Sequence, residues 1–202
     1  MVSARRRSNK PHFEGPGCRH SGGSPAIVYP EYKGTYERRS KLRSDVQDTS
    51  NLYREHVIAW SRDLSRAIDY LETRDDIDTG RLAYLGFSWG GAMGPVMVAV
   101  EERLKTAVFF VGGLMMQDVQ PMADPFNFLP RVTVPVFMFN GRYDSFFPLE
   151  SAIRPFFAHL GTPAADKKLT VTDSNHFVAA YSANQLISET LDWLDKYLGP
   201  VE

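Results

Sequence analysis

The sequence predicts an α/β layered fold with a mainly parallel sheet. Three observations predict it. Short apolar runs alternate with longer segments of helical period. The runs are rich in Val, Ile, Leu and Phe, as strands buried on both faces are. The polar residues suited to chemistry gather just after the ends of those runs, where open α/β sheets place their sites. The sheet expected from this pattern has about five strands: Ala26–Tyr29, Leu82–Leu85, Ala107–Val111, Val134–Phe139 and Lys168–Thr172.

Residues 1–24 carry no apolar period and include Arg5-Arg6-Arg7, Gly15-Pro16-Gly17 and Ser21-Gly22-Gly23-Ser24. They read as a flexible lead-in, with the arginines in a solvated tail. Residues 25–202 form the folded domain. Ala26–Tyr29 is stopped by Pro30. A helix is expected from about Asn51 to Thr73, with Asp48, Thr49 and Ser50 as candidate caps. Tyr53, Val57, Trp60, Leu64, Ile68 and Leu71 give it one apolar face. His56 falls one residue off that stripe and reads as a helix-surface histidine. Asp75 to Gly80 reads as a solvated turn rather than a cation loop, lacking the glycine and distal glutamate of an EF-hand. Pro95 interrupts the helix after the second strand. The connection from Gly112 to Arg131, with Met115, Met116, Phe126 and Phe128, is read equally as a pocket wall or as a packed connection. A short helix near Leu149–Leu160 contains Pro155. A final amphipathic helix, about Ala183 to Leu198, ends at Gly199-Pro200.

The chain has 202 residues, 43% hydrophobic and 23% charged, with a net charge of −1. That is enough for one domain with a sizeable core. The charge balance excludes a polyanion binder as the main role, so no nucleic-acid partner is expected. Cys18 is the only cysteine, so no intrachain disulfide forms, and a cytoplasmic setting is expected. No apolar run approaches the roughly 20 residues that span a bilayer, and no membrane partner is expected.

The chemistry centres on Gly86-Phe87-Ser88-Trp89-Gly90, a G-x-S-x-G pattern between a predicted strand and a helix. In that context it is a nucleophile elbow: Gly86 and Gly90 allow a turn where Cβ atoms would collide, and Ser88 is left exposed. A serine hydroxyl needs a base in hydrogen-bond reach, and the base needs an orienting partner. Of His12, His20, His56, His159 and His176, only His176 follows the last strand and precedes the last helix. Asp144 ends a neighbouring strand and is preferred over Asp118, Asp124 and Asp173 as the orienting acid. The catalytic residues expected are therefore Ser88, Asp144 and His176, in the order Ser, Asp, His, with the Trp89 N–H in the oxyanion hole. Tyr32, Phe146, Phe147 and Phe177, with the Trp89 ring, are candidate substrate-binding walls. No cluster has metal-ligand spacing, and hydrolysis needs no cofactor.

Asp63–Arg74, Ile77-Asp78 and Arg81–Gly91 resemble the acetyl-xylan-esterase, dienelactone-hydrolase and prolyl-oligopeptidase side of the α/β-hydrolase superfamily. More closely, Tyr29-Pro30, Tyr32–Arg38 and Asn140–Asp144 resemble the C-terminal hydrolase domain of some bacterial serine/threonine-kinase-like proteins. The resemblance implies hydrolysis of carboxyl esters of small molecules, or of related acyl bonds, and gives Ser88, Asp144 and His176 the roles already assigned. It also implies an incomplete α/β-hydrolase fold. Ala26–Tyr29 matches the fourth strand and Leu82–Leu85 the fifth, so the first three are expected to be missing. The third, which lies between those two, carries the loop with the second oxyanion amide. Direct pairing of Ala26–Tyr29 with the elbow strand would bring the Glu31 or Tyr32 N–H toward Ser88. The exposed edge of a shortened sheet favours a homodimer. Two other readings remain: a catalytically impaired fragment or interaction module, and, ranked lower, a prolyl-oligopeptidase-like peptidase without its propeller.

Overall fold

The structure, a computed structural model, describes residues 1–6, 25–41 and 46–200. In chain order the strands are β1 (Val2–Arg6), β2 (Pro25–Val28), β3 (Ile77–Phe87), β4 (Leu104–Phe110), β5 (Val136–Gly141) and β6 (Lys167–Thr172). The helices are α1 (Asn51–Glu72), α2 (Trp89–Ala92), α3 (Gly94–Val100), α4 (Arg154–His159) and α5 (Val178–Leu198). The sheet order is β2-β1-β3-β4-β5-β6. From β3 to β6 all pairs are parallel. β1 runs antiparallel to both of its neighbours.

Side-chain alternation along the strands sorts the core into two layers. Leu82, Tyr84, Ala107, Phe109, Val136 and Met138 face one way and pack with α1, α3 and α4. Ala83, Leu85, Val108, Phe110, Phe137 and Phe139 face the other way, against Val178, Trp193, Leu194 and Leu198 of α5. On α1 the predicted stripe from Tyr53 to Leu71 is the buried face. Of its three candidate caps, Ser50 accepts from the Tyr53 N–H at 3.1 Å.

The fold class is as read, and several details differ. The sheet has six strands, one more than the five runs read from the sequence, because residues 2–6 of the expected lead-in are a strand. Val2 and Ala4 are fully buried, and Arg5 is buried and paired with Asp195 of α5 rather than solvated. Five residues reading Val-Ser-Ala-Arg-Arg are too polar and too few to show a strand period. Their stability comes from pairing on both sides, which only the assembled sheet supplies. Residues 7–24, including Cys18 and His20, lie outside the described residues. β1 also takes the slot between β2 and β3, so β2 does not pair directly with the elbow strand. The expected turn at Asp75–Gly80 is already strand from Ile77, with Asp78 opposite Arg5. His56 is buried, bonded to Ser40 Oγ and the Leu52 carbonyl, because the 30s segment folds over that side of α1. The last helix begins five residues earlier than read, at Val178, and Ser182 is non-helical, which separates the first turn from the regular part.

No described helix is long and apolar enough to cross a membrane. At the far end of α1, Arg103 binds Glu101, Asp69, Glu72 and the Ser65 carbonyl. Burial alone would raise the Glu101 carboxyl, but hydrogen bonds from Arg103 and Ser65 outweigh it and hold its pKa below the ordinary 4.5.

Two outcomes follow from this packing. Ala4→Asp places an unpaired charge in the middle of β1 and should abolish cooperative folding or shift the urea midpoint by several kcal/mol equivalent, about 3 or more, since a buried charge without a partner is costly. Because the folded Glu101 pKa is depressed, its contribution is present above pH 4.5 and is lost as pH falls through the folded value. Urea titrations should therefore show a shallower acid decline in Glu101→Gln than in the parent.

Candidate active site

β3 ends at Phe87 and α2 begins at Trp89, so one residue makes the whole turn. That residue, Ser88, has φ 53° and ψ −111°, a strained conformation for a non-glycine. The turn is held by the Ser88 N–H donating to the Phe110 carbonyl at 2.9 Å and by the Ala92 N–H donating to the Ser88 carbonyl at 2.9 Å. A Cβ on Gly86 would lie 2.5 Å from the Gly90 carbonyl carbon and 2.7 Å from the Tyr84 ring. Gly86 is therefore required. Gly90 is not: a Cβ there would meet only the Tyr84 hydroxyl, at 3.7 Å. The expected collision at Gly90 falls instead at Gly91, whose Cβ would lie 3.0 Å from the Phe110 carbonyl oxygen. Tyr84, fully under the turn, donates its hydroxyl to the Gly90 carbonyl at 2.8 Å. Burial, then the nearby Tyr32, raises its pKa well above the ordinary phenol value.

Asp144 follows β5 on a loop stitched to the end of β6. The Arg142 N–H donates to the Thr172 carbonyl and the Tyr143 N–H to the Ser174 carbonyl. Gly141 permits this approach, since a Cβ would lie 2.5 Å from the Ser174 carbonyl oxygen. Oδ1 of Asp144 accepts from the Phe146 and Phe147 N–H groups at 2.8 and 3.0 Å. Its other oxygen, Oδ2, lies 2.7 Å from Nδ1 of His176. Nε2 of His176 lies 2.8 Å from Ser88 Oγ. A carboxylate accepts only, so Nδ1 carries the proton and Nε2 is left to accept from the serine. Asp144 and His176 are both buried.

The structure thus brings Ser88, Asp144 and His176 into one hydrogen-bonded line. The rival acids lie elsewhere: Asp173 is exposed and pairs with Arg142, while Asp118 and Asp124 border a separate cavity. His159 bonds the Pro155 carbonyl. Trp89 is the first residue of α2, so its N–H has no carbonyl one turn earlier in the helix to bond.

The aromatic candidates fall into two groups. Phe146, Phe147 and Phe177 surround the His176 ring at centroid distances of 4.8, 6.0 and 5.9 Å. Phe147 is buried, while Phe146 and Phe177 are exposed at the rim. Tyr32 and Trp89 instead border a cavity of about 260 Å³ on the other side of the turn, with Tyr29, Trp60, Phe87 and Met93. Burial, then the Asp63 carboxylate, raises the Tyr32 hydroxyl far above its ordinary range. The Tyr32 segment is anchored to α1: the Trp60 indole donates to the Lys33 carbonyl at 2.6 Å, and the Lys33 N–H donates to Asp63 at 2.8 Å. Sequence reasoning missed Phe87, Trp60 and Tyr84. Phe87 was detectable as the neighbour of Ser88; Trp60 and Tyr84 read only as core residues of their own elements.

This is the layered core and strand-to-helix serine turn of the α/β-hydrolase fold. The chain belongs to the PET hydrolase-like family, whose sequence profile matches residues 41–200. Among solved structures it is similar to a cold-adapted esterase from an Arctic intertidal metagenomic library, with 26% identity over 71% of this chain and a TM-score of 0.56. This chain spans 59% of that esterase's length. It also shares the fold of the α/β hydrolase GrgF from Penicillium sp. sh18 (TM-score 0.65, 13% identity, 83% of this chain and 78% of that one). The esterase of Pyrococcus furiosus is a third (TM-score 0.59, 16% identity, 75% of this chain and 66% of that one). A comparison with curated protein sequences gave no significant match.

The two glycines of the turn should separate cleanly. Gly86→Ala should destabilise the protein by about 3 kcal/mol or more, as backbone overpacking does, while Gly90→Ala should cost under about 1 kcal/mol. Chemical denaturation of the two variants checks this.

Proposed function

We propose that the protein is a serine hydrolase of carboxyl esters, working through an acyl-enzyme. The observation that supports this reading best is the continuous line from Ser88 Oγ through His176 to Asp144, at 2.8 and 2.7 Å. His176 Nε2 takes the Ser88 proton as Oγ attacks the ester carbonyl carbon. The tetrahedral oxyanion is held by the Trp89 N–H. The same imidazole then gives its proton to the leaving alcohol as the C–O bond breaks. In the second half His176 deprotonates a water as it attacks the acyl carbonyl carbon, then returns that proton to Ser88 Oγ as the C–Oγ bond breaks and the carboxylic acid leaves. Asp144 keeps Nδ1 protonated and stabilises the imidazolium. No step calls for a cofactor. Small-molecule esters whose acyl part fits the cavity beside Trp89 and Tyr32 are the substrate class proposed, and the rim phenylalanines contact the leaving-group side. The single cysteine supports a cytoplasmic setting.

The second oxyanion donor is assigned to the Glu31 or Tyr32 N–H. Tyr32 borders the same cavity as Trp89, and the amides of Lys33, Gly34 and Thr35 are already bonded elsewhere. The antiparallel direction of β1 favours this choice. β1 ends with Arg6 opposite Ile77, at the far end of β3 from Ser88.

That same feature favours one competing reading, a non-catalytic module that retains the triad by descent. Hydrolysis of p-nitrophenyl acetate and labelling by a fluorophosphonate decide between them. We expect stoichiometric labelling at Ser88, loss of hydrolysis in Ser88→Ala, and a fall of about 10⁴ in kcat in Asp144→Asn, from the wrong imidazole tautomer. A folded protein that neither labels nor turns over, or activity unchanged in Ser88→Ala, would refute the esterase mechanism.

A further inference from the structure

β4 does not pass smoothly into the connection that follows it. Val111, the next residue, has φ 45°. A β-branched residue is strained there, and such strain persists only where the surroundings hold it. Two consecutive residues of β5 hold it from either side. The Val111 N–H donates to the Phe139 carbonyl at 2.9 Å, and Nδ2 of Asn140 donates to the Gly112 carbonyl at 2.9 Å. A carbonyl oxygen only accepts, so the NH₂ end of the Asn140 amide is the end that meets Gly112.

The pinned segment touches both ends of the triad. On the nucleophile side, the Phe110 carbonyl accepts from the Ser88 N–H, and a Cβ on Gly91 of α2 would lie 3.1 Å from the Gly112 Cα. On the acid side, a Cβ on Gly113 would lie 3.1 Å from Cβ of Phe147, whose N–H donates to Asp144 Oδ1. The run from Phe110 to Gly113 therefore reaches from the Ser88 turn to the support of Asp144. Asn140 grips its middle and precedes the Asp144 loop on its own strand. The residue is a poor choice for stability alone. It is fully buried, and its Oδ1 has no hydrogen-bond partner among the described residues. A buried acceptor without a donor costs at least as much as one such bond returns.

We propose that Asn140 is a positioning residue, which fixes the strained Val111-Gly112 reversal and through it the spacing of Ser88 from Asp144. It touches neither the substrate nor the triad. The inference rests on the triad reading and adds to it what sets the distance between nucleophile and acid.

Asn140→Leu keeps the size and removes the donor, and Asn140→Ser shortens the side chain out of reach. Thr162→Val is the control. Thr162 is also buried and donates to the Val132 and Val134 carbonyls just before the other end of β5, so its loss removes a comparable bond away from the reversal. Two readouts are taken on folded protein. One is steady-state hydrolysis of p-nitrophenyl acetate. The other is the ¹H NMR resonance of the His176 Nδ1 proton, which its bond to the Asp144 carboxylate moves far downfield of the amides. In the Asn140 variants kcat should fall about tenfold to hundredfold with KM within about twofold, as small displacements of reacting groups do. The Nδ1 proton should move upfield or broaden by exchange with water. Thr162→Val should match the parent in both. The resonance needs no turnover, so in a parent that shows it without hydrolysis it decides alone, and only the esterase reading is lost. A parent with neither removes the triad reading and this inference with it. The proposal is overturned if the folded Asn140 variants keep the parent's kcat and resonance, if only KM changes, or if Thr162→Val lowers kcat as much. It is also overturned if neither Asn140 variant folds, which would make the residue purely structural.

Discussion

The site depends on one steric constraint, the closeness of Gly86 to Gly90 across the turn from β3 into α2. Because no Cβ separates the two backbones, a single residue spans strand and helix, and Ser88 is forced to a positive φ. A strained non-glycine costs on the order of 1–3 kcal/mol and persists only where its surroundings over-determine it. Here the surroundings are the Phe110 carbonyl, the first turn of α2 and the Tyr84 hydroxyl under Gly90. The same close packing recurs one step on. Gly91 and Gly112 touch backbone to backbone, and Val111 beside them also has positive φ. The end of β4 is thus held against the elbow, and β5 follows it in parallel register and delivers Asp144.

β1 gives the sheet a different character at its other side. A parallel strand in that slot would release its following loop beside the serine. An antiparallel strand releases it at the opposite end. The cavity beside Ser88 is therefore bordered by the Tyr32 segment, which is held from α1 by Trp60 and Asp63 rather than from the strand next to the elbow. The pocket beside Trp89 is joined to the helix that covers the sheet by the edge-on contact of Trp60 with Trp89 at 6.0 Å.

Much of this was readable from the chain. The stripe from Tyr53 to Leu71 fixes which side of α1 meets the sheet, since a helix can hide only one face. The three central apolar runs are strands because their alternate residues serve two different layers. Ser88, Asp144 and His176 were legible because each follows a strand, and parallel strands end on one side of the sheet. β1 was not legible: its burial comes from two neighbours far away in sequence, and its arginines argue against it until Asp195 is placed beside Arg5. His56 was misread for a related reason, because what covers it is a separate segment rather than its own helix. The division of the aromatic residues between the His176 rim and the Trp89 cavity was equally hidden, since spacing along the chain carries no information about which side of Ser88 a ring occupies.

Sequence alone determined the layered class, the strand-to-helix serine turn and the choice of Asp144 and His176 as the residues that meet Ser88, because these rest on local steric rules and on the shared direction of parallel strands. Tertiary structure decided that Gly86 and not Gly90 is sterically required, that the slot beside the elbow is filled by an antiparallel strand, and that Tyr32 and Trp60 border the cavity lined by Phe87 and Trp89. Those outcomes depend on distances between segments that meet only when the sheet and helices assemble, and no local pattern encodes them.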